Sequence, residues 1–191
     1  MSNLMRLLSC AFIILATSAQ AVEYDIDPAH SNVTFKIKHL SISTVSGRFD
    51  KFSGTFDADP ANLKALKATA DIDVSSIDTA EPKRDAHLRT PDFFDTAKFP
   101  QMTFVTKEVK DNGGNKLSIV GDLTLHGVTK PVTLDAEFGG IAKDPSGTER
   151  AAITASTVIN RKDFGISVNT GGVMLGEEVR VELSIEGIKK K

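Results

Sequence analysis

LKATADIDV, residues 66–74, alternates without a break: Leu66, Ala68, Ala70, Ile72 and Val74 are apolar, whereas Lys67, Thr69, Asp71 and Asp73 are polar. Successive side chains of a strand point to opposite faces, so this period of two makes a strand with one buried and one wet face. The same period recurs in Val33-Phe35-Ile37, Phe52-Gly54-Phe56, Met102-Phe104 and Leu117-Ile119-Gly121-Leu123-Leu125. It returns in Val132-Leu134-Ala136-Phe138, Ala151-Ile153-Ala155-Thr157-Ile159 and Val179-Val181-Leu183-Ile185, giving eight strands in all. Turn-forming stretches join several of them: DNGGN at 111–115, HGVTKP at 126–131 and DPSGTE at 144–149. Neighbours joined this tightly pair antiparallel.

Eight strands with one apolar face each satisfy either a two-sheet sandwich or a closed up-and-down barrel. Closure removes unpaired edges, and eight strands enclose room for side chains or one small ligand. Between Phe49 and Phe52 the phase slips, which predicts a bulge where the sheet bends. Ala68, Ala70, Gly121, Ala136, Ala151 and Ala155 are small residues on the apolar faces. They suit an elongated cavity, and equally the taper of a filled barrel.

Residues 79–99 break the pattern. Thr79 is the expected cap of a helix with Glu81 and Pro82 in its first turn, and Thr90-Pro91-Asp92 the expected start of a second. Within this insertion KRDAHLRTPDFFD, residues 83–95, concentrates charge. As a catalytic set, His87 is the base, Asp85 or Asp92 its orienter, and Ser75 or Ser76 the nucleophile, but no G-x-S-x-G elbow accompanies them. As plain structure, Asp85 and Arg89 make an i, i+4 pair on a wet helix face and Asp92 sits at the second helix's positive end. Phe93, Phe94 and Phe99 then anchor the segment, each ring contributing about 1.5 to 3 kcal/mol on burial.

His30, His39, His87 and His126 lie far apart, with no H-x-x-x-H pair, so no metal site is expected. His30 and His126 stand beside turn formers instead, Asp27-Pro28 and Gly127. Gly139-Gly140 and Gly171-Gly172 fall in strand connections, not before a helix as a phosphate loop requires.

The first 21 residues read as a cleavable export signal: Arg6 is their one charge, Leu7–Ala16 is apolar, and Ala19-Gln20-Ala21 offers a cleavage site before Val22. Cys10, the single cysteine, lies inside that apolar run, which disfavours a lipoprotein signal and leaves the mature chain without thiols. Subtracting 21 residues from 191 leaves 170, one domain over residues 22–191. Without Arg6 the charge moves from −2 to −3, so no general attraction to nucleic acid or anionic membrane is expected. No later stretch is long and apolar enough for a spanning helix, and a soluble chain is expected. The sequence permits a homodimer as well as a monomer.

Four ordered motifs then narrow the choice: DPAHSNVTFKIKHL (27–40), SIDTAEPKRDAHLRTPDFFDTAKFP (76–100), GDLTLHGVTKPVTL (121–134) and INRKDFG (159–165). Together they resemble the YceI-like family across nearly all of residues 23–188. The resemblance implies an all-β, lipocalin-like, eight-stranded antiparallel up-and-down barrel with a short helical insertion between strands three and four. It further implies a periplasmic binder or carrier, not an enzyme, whose interior holds a polyisoprenoid or other long-chain amphiphile such as a quinone or prenyl phosphate, with no other cofactor. Lacking tryptophan, the chain lacks the G-x-W signature of true lipocalins. Inward strand positions are the expected ligand wall: Phe35, Ile37, Phe52, Phe56, Leu66, Ile72, Phe104, Leu125, Leu134, Phe138, Ile159 and Leu183, with Phe93, Phe94 and Phe164 near one end. Arg84, His87, Asn160 and Arg161 are the expected donors to a polar head group. The rival expectations are a periplasmic hydrolase or isomerase of a lipid-like substrate using His87, and a filled structural or stress-response module that binds nothing.

Overall fold

The computed structural model of the protein describes residues 21–167 and 174–191. Residues 1–20 of the expected export signal, Cys10 among them, and the Gly171-Gly172 pair lie outside the described residues. Eleven strand segments make eight staves. The first is β1 (Val22–Ile26) and β2 (Asn32–His39), interrupted by a 3-10 turn over Pro28–His30. That turn forms because Pro28 fixes its first residue and Asp27 accepts the Ala29 N–H at 3.1 Å. β3 (Ser43–Phe49) and β4 (Phe52–Ala58) make the second stave. The third is β5 (Lys67–Asp73) and the two-residue β6 (Ile77–Asp78), parted by a 3-10 turn that the Asp73 carboxylate caps. Five unbroken strands complete the ring: β7 (Gln101–Gly113), β8 (Lys116–Leu125), β9 (Val128–Lys143), β10 (Glu149–Asn160) and β11 (Leu175–Lys189); Gly139-Gly140, expected in a strand connection, lies inside β9 at its register shift against Ala152-Ile153.

Each stave pairs antiparallel with its neighbours in the chain, and β11 closes the ring on both halves of the first, Ile26 facing Gly187 and Val33 facing Leu183. The result is a closed eight-stave antiparallel barrel. At the expected slip, β3 ends at the buried Phe49 and β4 begins at Phe52, with Asp50 and Lys51 bonded sideways to Ser76. His126 and Gly127, both at positive φ, form the two-residue turn between β8 and β9.

Between the third and fourth staves stands one helix, α1 (Pro82–Leu88). Its N-cap is Glu81, not Thr79: the Glu81 carboxylate accepts the N–H groups of Lys83 and Arg84. Thr79 instead donates its hydroxyl and N–H to Asp85, at 2.5 and 2.9 Å, which buries Asp85 and removes it from any pair with Arg89. Arg89 turns to the carbonyls of Ser75 and Ile77. The second expected helix is absent among the described residues; Thr90–Asp95 closes in hydrogen-bonded turns, Phe93 and Asp95 both donating to the Thr90 carbonyl.

Register places the core unevenly. At one end the tips of β4, β8, β9, β10 and β11 converge on Tyr24, Phe56, Ala58, Leu63, Leu66, Leu117 and Phe138, all buried. Tyr24 and Phe56 stack at 5.3 Å there. Outside that floor Arg150 joins Asp27, Asp144 and Glu186 at 2.7 to 3.2 Å. Toward the other end the inner face is shared between two smaller clusters, around Val74 and Ile77 and around Leu125 and Phe164.

Candidate functional site

Between these clusters runs a cavity of about 460 Å³, within the range usual for small-molecule sites. Its floor is Phe56, backed by the stacked Tyr24, and its rim carries α1, the β2–β3 turn and the start of β11, where the lining residues His87 and Met174 are exposed. Apolar side chains dominate its wall, broken by threonines and a few basic residues.

Most of the expected wall is brought together. Phe35, Ile37, Phe52, Phe56, Ile72, Phe104, Leu125, Leu134, Ile159 and Leu183 line the cavity, and Phe93 and Phe94 of the insertion reach it too. Three expected wall residues do not. Leu66 and Phe138 are sealed in the floor, and Phe164 is 2% exposed behind the wall in the cluster with Ile166. A period of two identifies the inner face but not the depth at which the barrel stops being hollow. Val33, Phe49, Met102, Ile153, Val179 and Val181 also line it. Val33, Met102, Ile153, Val179 and Val181 share the alternating phase of expected wall residues, so the same local signal marks them.

The small residues divide by position. Ala68, Ala70 and Ala155 border the cavity, whereas Ala136 and Ala151 pack in the buried floor cluster. Gly121 leaves no space: a Cβ there would lie 2.3 Å from the Phe104 ring, so the glycine is the seat of that ring.

The four expected head-group donors also separate. Asn160 caps the turn after β10 by accepting the Lys162 N–H, and does not line the cavity. Arg161 lines it but is only 5% exposed, and gives its guanidinium to the carbonyls of Gly176 and Ile166, at 2.9 and 2.6 Å. Burial pushes its pKa down. It pins β11 to the preceding turn, a role invisible in sequence because its acceptors are backbone atoms. Arg84 remains at the rim, half-buried, donating to the hydroxyl and carbonyl of Thr79 at 2.7 and 2.8 Å. Among the described residues it forms no ion pair, and Nη1 makes no hydrogen bond. His87 lies beside it on α1, its ring edge-on to Phe93 at 5.0 Å and its Nε2 3.1 Å from Asp92.

Among the described residues no catalytic set is assembled around His87. Ser75 donates its hydroxyl to Asp73 and Ser76 donates to the Asp73 carbonyl, both at 2.6 Å, and His87 pairs with the solvent-facing Asp92. At the opposite end Asp27, His30 and Glu186 approach metal-ligand spacing, but the Arg150 guanidinium already bonds Asp27 and Glu186 at 2.8 and 2.7 Å. A cation is thus built into that cluster. His30 and His126 serve turns, as expected, His30 bonding Asp27 and His126 lying 3.2 Å from the Phe164 carbonyl. No helix of the described residues is long and apolar enough to cross a membrane.

Residues 24–187 match the model of the YceI-like domain. A UPF0312 protein of Vibrio cholerae is 42% identical over 182 residues, 94% of each chain. Among solved structures, the Campylobacter jejuni YceI protein superposes with a TM-score of 0.73 at 37% identity, over 82% of this chain and 91% of its own. A polyisoprenoid binding domain from Saccharophagus degradans superposes with a TM-score of 0.69, over 88% of this chain and 99% of its own. At 17% identity it shares the fold alone.

Proposed function

This chain belongs to the YceI-like family, and from that premise we propose that it is a periplasmic binding or carrier protein for a polyisoprenoid or similar long-chain amphiphilic lipid. The observation that carries the proposal is the cavity: apolar along its wall, stopped by Tyr24 and Phe56, and bordered by basic side chains only near its rim. The ligand named for the Saccharophagus domain of the same fold agrees with it. The apolar run Leu7–Ala16 supports export to the periplasm.

Transfer of the tail out of water drives binding. Each buried methylene contributes about 0.8 kcal/mol, and association costs roughly 4 to 15 kcal/mol in lost freedom. About fifteen buried carbons therefore supply ~12 kcal/mol gross, and a short tail does not stay bound. Tail length governs affinity, and the head group, a quinone or a prenyl phosphate, rests at the rim beside Arg84 and His87.

Organic extraction of the purified protein followed by mass spectrometry should release one class of long-chain lipid in near-stoichiometric amount. Ala70→Asp or Ile72→Lys places an unpaired charge on the cavity wall and should abolish that lipid while the barrel still folds. Undiminished lipid in either folded variant would contradict the proposal.

A further inference from the structure

We propose a second surface: the turn between β2 and β3 docks on a phospholipid bilayer and sets the cavity mouth against it. The proposal rests on the carrier function above, since a long-chain guest must be taken from a lipid phase.

Leu40 and Ser41 both hold positive φ, at 53° and 58°, a backbone region unfavourable for residues other than glycine and asparagine. The strained turn leaves Ile42 85% exposed and Leu40 41% exposed. Nothing in the folded core gains from this. The Leu40 N–H donates to the Met174 carbonyl at 3.1 Å, so the turn is tied to a third exposed apolar residue, Met174 at 53%. Met174 also lines the cavity, which makes the patch continuous with the mouth.

Two hairpin tips at the closed end differ. Asp111–Asn115 and Asp144–Thr148 are polar turns with glycine, whereas Leu40–Gly47 contains no charged residue. Set back from the apolar tip come Lys36 and Lys38 on β2 and Arg48 on β3. The carboxylates beside Lys36 and Arg48 are ion-paired, Glu182 with Lys36, and Asp50 and Asp78 with Arg48. Lys38 forms no ion pair among the described residues, nor does the acidic Glu178 of β11, so insertion of apolar side chains supplies most of the binding. An apolar tip backed by a belt whose cations are matched by carboxylates follows the layering of a bilayer, hydrocarbon beneath head groups, with no net attraction to anionic lipid. Three side chains give weak, reversible attachment, as a shuttle requires.

Vesicles of phosphatidylethanolamine and phosphatidylglycerol test the proposal by flotation with the mature chain. The double change Leu40→Ser, Ile42→Glu should lower vesicle partitioning at least about tenfold, slow lipid transfer between vesicles, and leave the lipid already held in the barrel unchanged. Because the chain has no tryptophan, Ile42→Trp gives a clean reporter whose emission should shift to the blue on adding vesicles. Wild type that fails to float, a double variant that floats equally well, or an unshifted emission from the tryptophan variant would overturn it. So would a dimer in sedimentation that the double change dissolves, since the patch would then be covered by a second copy. Failure of the carrier function is distinguishable: purified protein would yield no lipid on extraction, whatever its vesicle binding.

Discussion

The two ends of the barrel are built from the same strands and do opposite things. At the closed end, Tyr24, Phe56, Leu117 and Phe138 are at most 3% exposed, and Arg150 ties the β1–β2 link, the β9–β10 loop and β11 together from outside. Burial, followed by the hydrogen bond to Glu149, pushes the Tyr24 pKa up to about 12, so its phenol stays neutral in the floor. At the open end, Leu40, Ile42 and Met174 face solvent, and the inner rings of Phe35, Phe52 and Phe93 are only half-buried. Stability is thus concentrated where the cavity stops, and the end that must admit a guest leaves packing incomplete.

The largest effect expected from this contrast is on truncation. Phe138→Ala should cost about 3 to 5 kcal/mol, because its closed-end site is surrounded by atoms that cannot relax into the hole. Ile37→Ala, on the cavity wall, should cost less than about 2 kcal/mol, since the side chain it shortens already borders space. Denaturant melts of both variants decide the matter, and equal losses would erase the distinction between the ends.

A sharper comparison uses two glycines with nearly the same clash. A Cβ on Gly187 would lie 2.5 Å from the Phe56 ring and 2.8 Å from Cβ of Tyr24; one on Gly47 would lie 2.4 Å from the Phe35 ring. Phe56 is clamped between the glycine and Tyr24, so Gly187→Ala should cost about 1 to 3 kcal/mol. Phe35 can swing toward the cavity, so Gly47→Ala should cost about 1 kcal/mol or less while reducing bound lipid. The same melts read the difference, and lipid content reads the displaced ring.

A further contrast appears in acid. The hydrogen bond from Arg150, then that with His30, lowers the Asp27 pKa from 3.8 to about 2. A carboxyl depressed in this way contributes stability in full above its unfolded value near 3.8, and loses it as the pH falls through about 2. In Arg150→Met the largest part of that contribution goes, while His30 and the Ala29 N–H remain, so the thermal midpoint should be lower at pH 7 and fall less steeply between pH 4 and pH 2. An unchanged acid limb would mean that Arg150 does not set the Asp27 pKa. Asp144 should respond little, because its own depression to about 2 comes first from Ser146.

How much of this was legible follows the range of each interaction. The eight staves, the insertion and the His126-Gly127 turn were readable because period and turn chemistry are local signals. Val22–Ile26 passed unread as a strand, its VEYDI holding too few alternations to stand out. The cap moved from Thr79 to Glu81 because Asp85, six residues on, took the Thr79 hydroxyl. Which end is closed could not be read at all. Arg150 meets Asp27 across 123 residues of chain, and Tyr24 meets Glu149 across 125, and only ring closure creates either contact. The carbonyl partners of Arg161 were not legible, because a basic residue after a strand looks the same whether it serves a guest or a carbonyl.

The smallest effect belongs to His87, and it bears on the nature of the open end. Its pair with Asp92 is exposed on both sides, 57% and 63%, and such pairs contribute under about 1 kcal/mol. His87→Ala, which also gives up the edge-on contact with Phe93, should therefore change stability by no more than about 1 kcal/mol. As a carrier, the variant should also keep its lipid, because the tail and not the rim supplies the binding energy, and only the head group's orientation is relaxed. An enzyme with His87 as base would behave oppositely: extracted lipid would be unaltered in the variant, and a processed form would be found only with wild type. Mass spectra of the two extracts should be the same. Since Ser75 and Ser76 are bonded to Asp73, a hydrolysed product found only with wild type would point to water as nucleophile and an isomerised one would need none; either would make the rim a reaction centre and not a doorway.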